Sequence, residues 1–296
     1  ESHTLLGRVY INLAETFLTT DPESAVEAAR TAAGHLRRTG ALDYLVVAVI
    51  NLAQAQLTLG DWDAAEEQLT HAMEADGLSG NDYLVSYVAW LAALRGDAEG
   101  AAETLAGLRD LRSSEDSQDK AIVALVDAFA AAARGEPRDA LRHARASLAH
   151  SGPLGVGFGI TSWAWPLAAR VAHELGDAAA GGELLAQLDA HPPGHVPQRL
   201  QAERDLARAR LAAAAGDPAA GPALAGAVSG LRAHGTPYHL AQALLDHAQY
   251  LLAQGDTGAA EAAIDEARTI AGQLRCQPLL DRAEATTQPV TARSPA

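Results

Sequence analysis

The sequence is poor in several residue types that restrict what a protein can do. Its 296 residues include one cysteine, Cys276, and one lysine, Lys120, and aromatic residues make up only 4 %. A single cysteine excludes an internal disulfide framework and is typical of a reducing compartment, so we expect a cytoplasmic protein. The net charge of −15 argues against direct binding to nucleic acid or to an anionic membrane surface, because both require a basic face.

Long apolar runs are also scarce. No run approaches the ~20 residues that cross a bilayer, and the strongest candidates, 45–57 and 121–133, are interrupted by residues such as Asn51 and Asp127. A signal-peptide pattern and an initiating methionine are both missing from the sequence. We therefore expect no membrane association, and we expect this chain to be a segment of a longer protein.

Alanine is abundant, with 68 copies, and it follows a repeat. A glycine followed by an acid recurs at intervals of 36 to 41 residues: Gly60-Asp61, Gly96-Asp97, Gly135-Glu136, Gly176-Asp177, Gly216-Asp217 and Gly255-Asp256. Seven residues before each glycine stands an alanine: Ala53, Ala89, Ala128, Ala169, Ala209 and Ala248. Five residues after it stands a small residue: Ala65, Ala101, Ala140, Gly181, Gly221 and Ala260. Columns in register over six units indicate an internal repeat.

Each column has a physical role in a pair of antiparallel helices. The glycine ends the first helix because the residue after a helix C-terminus often has a positive φ angle. The acid caps the second helix, since its oxygen accepts free N–H groups of the first turn. Pro137 and Pro218 are expected just inside helix starts, where a missing N–H costs nothing. The small residues allow the two helices to cross closely.

The pattern predicts seven helix pairs and a short C-terminal helix, 277–286, that caps the stack. The pairs are 4–19 with 22–37, 42–59 with 62–76, 80–95 with 98–112, 117–134 with 137–150, 158–175 with 178–190, 197–215 with 218–233, and 237–254 with 257–273. The first pair is atypical, as expected of a terminal unit, because its turn lacks the glycine. We expect one domain over residues 1–286 and a mobile tail over 287–296.

Residues 51–76 resemble a tetratricopeptide repeat (TPR). The matching residues are Leu52, Ala53, Gly60, Trp62, Ala65 and Ala72. The units are longer than the usual 34 residues, and the aromatic residue after the turn occurs only at Trp62. Long units of this kind resemble the MalT-like sensor arrays of actinobacterial LuxR-type and SARP ATP-dependent regulators and of ATPase-linked nucleotidyl cyclases. The resemblance implies an all-α, TPR-like α-solenoid that coils as a right-handed superhelix.

No motif predicts catalysis, a cofactor or a metal. The glycine-rich run 152–159 lacks the strand, the third glycine and the acidic partner of a dinucleotide site, so we interpret it as a loop and helix lead-in. His191 and His195 form a close pair, but two histidines without a third nearby ligand make a poor zinc site. Cys276 has no histidine partner in a catalytic pattern. We expect a protein that is not an enzyme and needs no cofactor.

The first helix of each pair lines the concave face of such a stack, and this face usually binds. Inward-facing positions fall about thirteen, ten, six and three residues before each turn glycine. They include the candidate ligand-binding residues Tyr83, Trp90, Phe129, Trp163, Arg170, His173 and Arg210. An aromatic wall beside guanidinium groups suits a peptide or a small anionic ligand. Alternatively, the rings fill gaps between alanine-rich helices; near-complete burial of Trp90, Phe129 and Trp163 decides for this alternative.

The resemblance also implies a function. In the regulators named above, the array follows a nucleotide-switch ATPase, and it binds an inducer or a partner or holds the ATPase off. We therefore expect a regulatory module that binds a protein or a peptide, including other domains of its own parent chain, in signalling or transcription regulation. One alternative is a sensor that encloses a small-molecule inducer. A second alternative is a passive scaffold or oligomerisation array.

Overall fold

A computed structural model describes residues 2–75 and 77–287, and in these ranges the chain forms helices and no strands. The α-helices, α1 to α16 in order, are Ser2–Phe17, Pro22–Thr39, Leu42–Leu59, Trp62–Glu74, Asp82–Arg95, Ala98–Ala106, Asp110–Ser113, Ser117–Ala133, Pro137–Ser151, Thr161–Glu174, Ala178–Asp189, Gln198–Ala214, Ala220–His234, Pro237–Ala253, Thr257–Leu274 and Gln277–Thr287. A 3₁₀ turn, Gly152–Leu154, lies between α9 and α10. The all-α fold is confirmed, whereas all of the predicted mobile tail except Thr287 lies outside the described residues.

The chain divides into two compact units, Glu1–Leu167 (unit 1) and Ala168–Ala296 (unit 2). In unit 1 each first helix of a pair contacts the first helix of the next pair: α1 contacts α3, α3 contacts α5, and α5 contacts α8. These four helices form one layer, and the second helices pack beside them. In unit 2, α12 and α14 make the corresponding contact, and α16 packs on α14 and α15.

Glycine ends the first helices, as predicted. Gly60 and Gly96 have φ angles of 88° and 92°, which other residues rarely adopt, and the N–H of each turns back to carbonyls of the last helical turn. The other four repeat glycines also have positive φ angles. The turn positions read from the sequence are therefore confirmed.

The acid caps are confirmed only in part. Asp97, Asp177 and Asp256 each accept a hydrogen bond from the backbone N–H three residues later. Asp61 and Glu136 make no such bond, and Glu136 instead lies 2.8 Å from the Nη2 of Arg134. The side chain of glutamate is one methylene longer than that of aspartate, which allows Glu136 to reach Arg134.

Two predicted boundaries in this part of the repeat need correction. Pro137 begins α9 as predicted, but Pro218 precedes α13, which begins at Ala220. The predicted helix 98–112 is broken into α6 and α7. The break has a local cause, because one carboxylate oxygen of Asp82 accepts three successive backbone N–H groups, from residues 109, 110 and 111, at 2.8–3.0 Å.

The small residues of the repeat lie where helices meet. Ala53 and Ala65 are fully buried, as are most of their counterparts in the other pairs. At two of the positions five residues after a turn glycine, the small residue is itself a glycine. At one of them, Gly221 in unit 2, a Cβ would lie 3.0 Å from the ring of Tyr250. The alanine-rich composition therefore serves close helix packing.

Among the described residues one helix, α3, is long and apolar enough to cross a membrane by length and composition. Buried residues make up 61 % of it, and they include Asn51, whose Nδ2 donates to the carbonyl of Ile11 at 3.2 Å. In this structure α3 is thus a core helix of unit 1.

Candidate functional site

Three large rings of the predicted ligand face pack against one another inside unit 1. The ring centroid of Trp90 lies 5.1 Å from that of Trp163 and 5.9 Å from that of Phe129, and the latter two lie 6.3 Å apart. Trp90, Phe129 and Trp163 are only 2, 3 and 5 % exposed. The prediction that they form an open aromatic wall is therefore wrong: they fill the space between alanine-rich helices.

The basic residues of the predicted face belong to unit 2, where two of them are already paired. Arg170 Nη1 lies 2.6 Å from Glu174 Oε1, and Arg210 Nη2 lies 2.6 Å from Asp246 Oδ2. His173 is exposed and lines a small cavity of about 100 Å³ together with Arg210. Arg210 is thus engaged inside the protein, whereas a ligand role for Arg170 and His173 stays a prediction.

Asp246 is the centre of a buried ionic network in unit 2. Both Nε and Nη2 of Arg210 bind its Oδ2, and Arg282 binds its Oδ1. Burial acts to raise the pKa of Asp246, but the two arginines outweigh it and hold this pKa at about 2. The network explains why these charges are tolerated inside an α-helical core.

Glu203 lies in the same network and is 3 % exposed. Burial raises its pKa to about 7, although Arg210 and Arg199 oppose the change. Its Oε1 accepts no hydrogen bond within the described residues. Because the nearby cavity measures only about 100 Å³, we interpret this cluster as structural.

The remaining predicted residue, Tyr83, lines a cavity of about 530 Å³ in unit 1. Its walls come from α1, α3, α5 and α8, which are the first helices of four successive pairs, and from the segment 157–160. This volume is within the range of ~300–1,000 Å³ that is typical of ligand sites. The cavity is our candidate functional site.

Carboxylates line this cavity, and no lysine or arginine does so in the described part of the chain. The four are Glu15, Asp43, Asp116 and Asp119. Elsewhere in unit 1 several acids have cationic partners; for example, Arg95 binds Asp63 and Glu66. The cavity is thus locally rich in negative charge, for which the described residues that line it provide no counter-ion.

Two of the carboxylates are held in place by hydrogen bonds. Asp116 caps α8, and its Oδ1 accepts from the N–H of Gln118 at 2.7 Å. Asp119 accepts from the hydroxyl groups of Tyr83 and Ser114, the latter at 2.6 Å. Burial and the neighbouring Asp119 raise the pKa of Tyr83, which keeps its phenol protonated as a donor. These bonds fix the acidic groups without neutralising them.

Two mostly buried side chains have hydrogen-bonding groups at the cavity that no described residue uses. Tyr87 is 4 % exposed, its hydroxyl has no hydrogen-bond partner in the described chain, and burial raises its pKa. Asn51 is 5 % exposed and uses Nδ2 to reach Ile11, but its Oδ1 accepts nothing from the described residues. Because both residues line the cavity, these groups are available to a ligand that displaces water from it.

Apolar side chains and a glycine segment complete the cavity. Val46, Ile50 and Ile122 are buried beneath it, and Val47 is 40 % exposed at its edge. The 152–159 run is a 3₁₀ turn and loop that leads into α10, as predicted. A Cβ at Gly159 would lie 3.2 Å from Gln54 Oε1, so glycine allows the loop to approach α3 closely.

Sequence reasoning found Tyr83 but missed most of this cavity. Tyr87 lies one helical turn after Tyr83, so a wider inner face would have included it. Asp116 belongs to the turn between two helix pairs of unit 1, and no sequence pattern singled it out as a site residue. Within the described residues, no group of three or more His, Cys, Asp or Glu side chains is arranged to hold a metal ion.

Comparison with known proteins supports the fold. No protein-family model and no curated protein matches this chain. The solved structure of the Rap protein complexed with competence and sporulation factor is similar to it, with a TM-score of 0.61 at 12 % identity, over 94 % of this chain and 80 % of its own.

Two other solved structures show weaker likeness. A tetratricopeptide repeat protein from Parabacteroides merdae covers 96 % of this chain and 100 % of its own, with a TM-score of 0.46 at 16 % identity. The TPR domain of P58(IPK) covers 97 % and 99 %, with a TM-score of 0.28 at 14 % identity. From the Rap likeness and the helix pairs, the chain has an all-α, TPR-like fold.

Proposed function

We propose that this chain is a non-catalytic binding module that holds a peptide, or an extended segment of a partner protein, in the cavity of unit 1. The observation that carries the proposal is the unused hydrogen-bonding capacity of Tyr87 and Asn51 beside apolar side chains. An apolar surface gives affinity, and a few buried polar groups fix the orientation of the bound segment.

The polar lining favours a peptide. The side-chain amides of Asn51, Gln54 and Gln118 line the cavity, together with that of Asn81, whose Oδ1 already caps α5. An amide side chain has both a donor and an acceptor, so it can pair with the N–H and C=O groups of an extended backbone. The fold relative Rap was itself solved in complex with competence and sporulation factor.

The proposal is tested by selecting random heptapeptides on the immobilised chain and measuring their affinity by calorimetry. Tyr87→Phe removes one hydroxyl that bonds to nothing within the described protein, so the unfolding midpoint should stay nearly constant. The affinity of a selected peptide should fall about threefold to tenfold, as expected for one hydrogen bond.

Tyr44→Phe is the matched control, because Tyr44 is exposed and does not line the cavity. It should leave the affinity unchanged. If no peptide is enriched over the bare support, or if both variants bind the selected peptides as tightly as the wild type, this cavity is not a peptide site.

The volume of the cavity also suits the second candidate, a small-molecule inducer. A metabolite mixture passed over the chain, followed by mass spectrometry of what it retains, distinguishes the two candidates. Retention of one compound that competes with the selected peptides for the same cavity favours a sensor.

A separate observation favours the scaffold alternative. Leu5, Val9 and Leu13 are exposed at four-residue intervals on α1, which gives an apolar stripe on one side of this helix. Analytical ultracentrifugation tests it: concentration-dependent association that Val9→Glu abolishes would assign this stripe to assembly.

We further propose that the module regulates a larger cytoplasmic signalling or transcription-regulating ATPase. This part rests on the resemblance of the long repeats to MalT-like arrays of actinobacterial regulators, and on the single buried cysteine, Cys276. An ATPase motif upstream in the full gene product, and a change in ATP hydrolysis when a selected peptide binds, would support it.

A further inference from the structure

We infer that the segment bound in the unit 1 cavity inserts a cationic side chain, lysine or arginine, among Glu15, Asp43, Asp116 and Asp119. This inference rests on the proposed function and narrows it to basic peptides. Four carboxylates line one cavity of about 530 Å³, and no basic side chain of the described residues lines it with them. A cation in the ligand would supply the missing counter-charge.

The polar side chains at the cavity can also accept hydrogen bonds from such a cation. Asn51 uses one of the two N–H groups of Nδ2 on the carbonyl of Ile11, so its Oδ1 acceptor and one N–H donor remain. The hydroxyl of Tyr87, a residue that is 4 % exposed, can accept as well as donate. An ammonium or guanidinium group carries three or five donors and no acceptor, so it can donate to the carboxylates, to Asn51 Oδ1 and to the Tyr87 oxygen.

The apolar part of the cavity fits the rest of such a side chain. Val46 and Ile50 lie on the same face of α3 as Asp43, and Val47 is 40 % exposed next to them. Lysine and arginine have apolar stems that pack on aliphatic surface while the charged end reaches polar groups. A hydrophobic residue without a charge would leave the carboxylates uncompensated, and an acidic one would be repelled.

The test is the composition of the heptapeptides selected on the chain, followed by calorimetry with single synthetic peptides. We expect lysine or arginine at one position of most selected sequences. Replacement of that residue by norleucine or citrulline, which remove the charge and keep the stem, should lower the affinity about tenfold. Raising the salt concentration should weaken binding of the basic peptide and leave its neutral form unchanged.

The protein side is tested with a double variant, Glu15→Gln with Asp43→Asn. Both side chains are exposed and make no hydrogen bond or ion pair with described residues, so folding should be unaffected. We expect a loss of affinity of roughly fivefold or more for the basic peptide. The matched control, Glu27→Gln with Glu103→Gln, removes two exposed acids outside the cavity and should change the affinity less than twofold.

The outcomes separate this inference from the proposed function. If the enriched peptides lack a basic residue and bind the double variant, Glu15→Gln with Asp43→Asn, as tightly as the wild type, the inference is overturned while the binding function stands. If no peptide is enriched, both are overturned. Spermidine, a cation without a peptide backbone, is the second probe: if it binds tighter than every selected peptide, the ligand is a free amine and the inference also fails.

Discussion

Replacement of Glu203 by glutamine should stabilise unit 2 at neutral and alkaline pH. Burial raises the pKa of this carboxyl from its ordinary 4.5 to about 7. One unit of pKa corresponds to about 1.4 kcal/mol, so ionising Glu203 in the folded state costs about 3 kcal/mol more than in the unfolded chain. Glutamine keeps the size and one carbonyl oxygen of the side chain but does not ionise.

The sign of the pH dependence follows from the raised pKa. Below pH 4.5 both states hold the proton, and Glu203 carries no cost. Between pH 4.5 and about 7 the unfolded chain loses its proton first, so the stability of the folded state falls as the pH rises. Above about pH 7 the full cost is present. The advantage of Glu203→Gln should therefore grow by about 2 kcal/mol or more between pH 5 and pH 8.

Hydrogen exchange followed by mass spectrometry measures this locally, which suits a repeat protein whose unfolding need not be two-state. Peptides from α12, Gln198–Ala214, are compared between the variant and the wild type at the same pH, so that the intrinsic exchange rate cancels. Glu261→Gln is the control, because Glu261 is an exposed acid of the same unit. A protection difference that is constant from pH 5 to pH 8 would refute the reasoning.

Two further predictions concern the cores. Trp90→Ala should destabilise unit 1 by about 3–5 kcal/mol, because it empties the centre of the cluster formed with Phe129 and Trp163; urea unfolding followed by circular dichroism checks it, and a loss below 1 kcal/mol would contradict the packing described. Asp246→Asn should cost unit 2 about 3–5 kcal/mol, because it leaves Arg210 without its buried counter-charge; hydrogen exchange in α14 measures it, and unchanged protection would show that the network contributes nothing.

Much of the fold could be predicted from the sequence because its signals are local. A glycine at a helix end needs a positive φ angle whatever surrounds it, so Gly60 and Gly96 marked their turns correctly. The break between α6 and α7 could not be predicted in this way. It depends on Asp82, a residue 27 positions before Arg109, whose carboxylate captures backbone N–H groups of a later segment.

The candidate site was harder to predict for the same reason. Helical spacing placed Trp90 and Phe129 on the inner, ligand-binding face, but spacing cannot tell a buried inner position from an exposed one. The cavity becomes acidic only when residues from α1, α3 and α8, together with the turn before α8, come together. Asp43 and Asp116 each have an ordinary explanation at a helix start, and that they line the same cavity appears only in three dimensions.

The most direct test of the central claim is a hydrogen-exchange footprint of a selected heptapeptide on the whole chain. If the unit 1 cavity is the binding site, the peptide should slow exchange in segments 43–54, 81–87 and 116–122, which line it. Exchange in α2 and α4 should stay unchanged. Slowed exchange confined to unit 2, or to α2 and α4, would contradict the account.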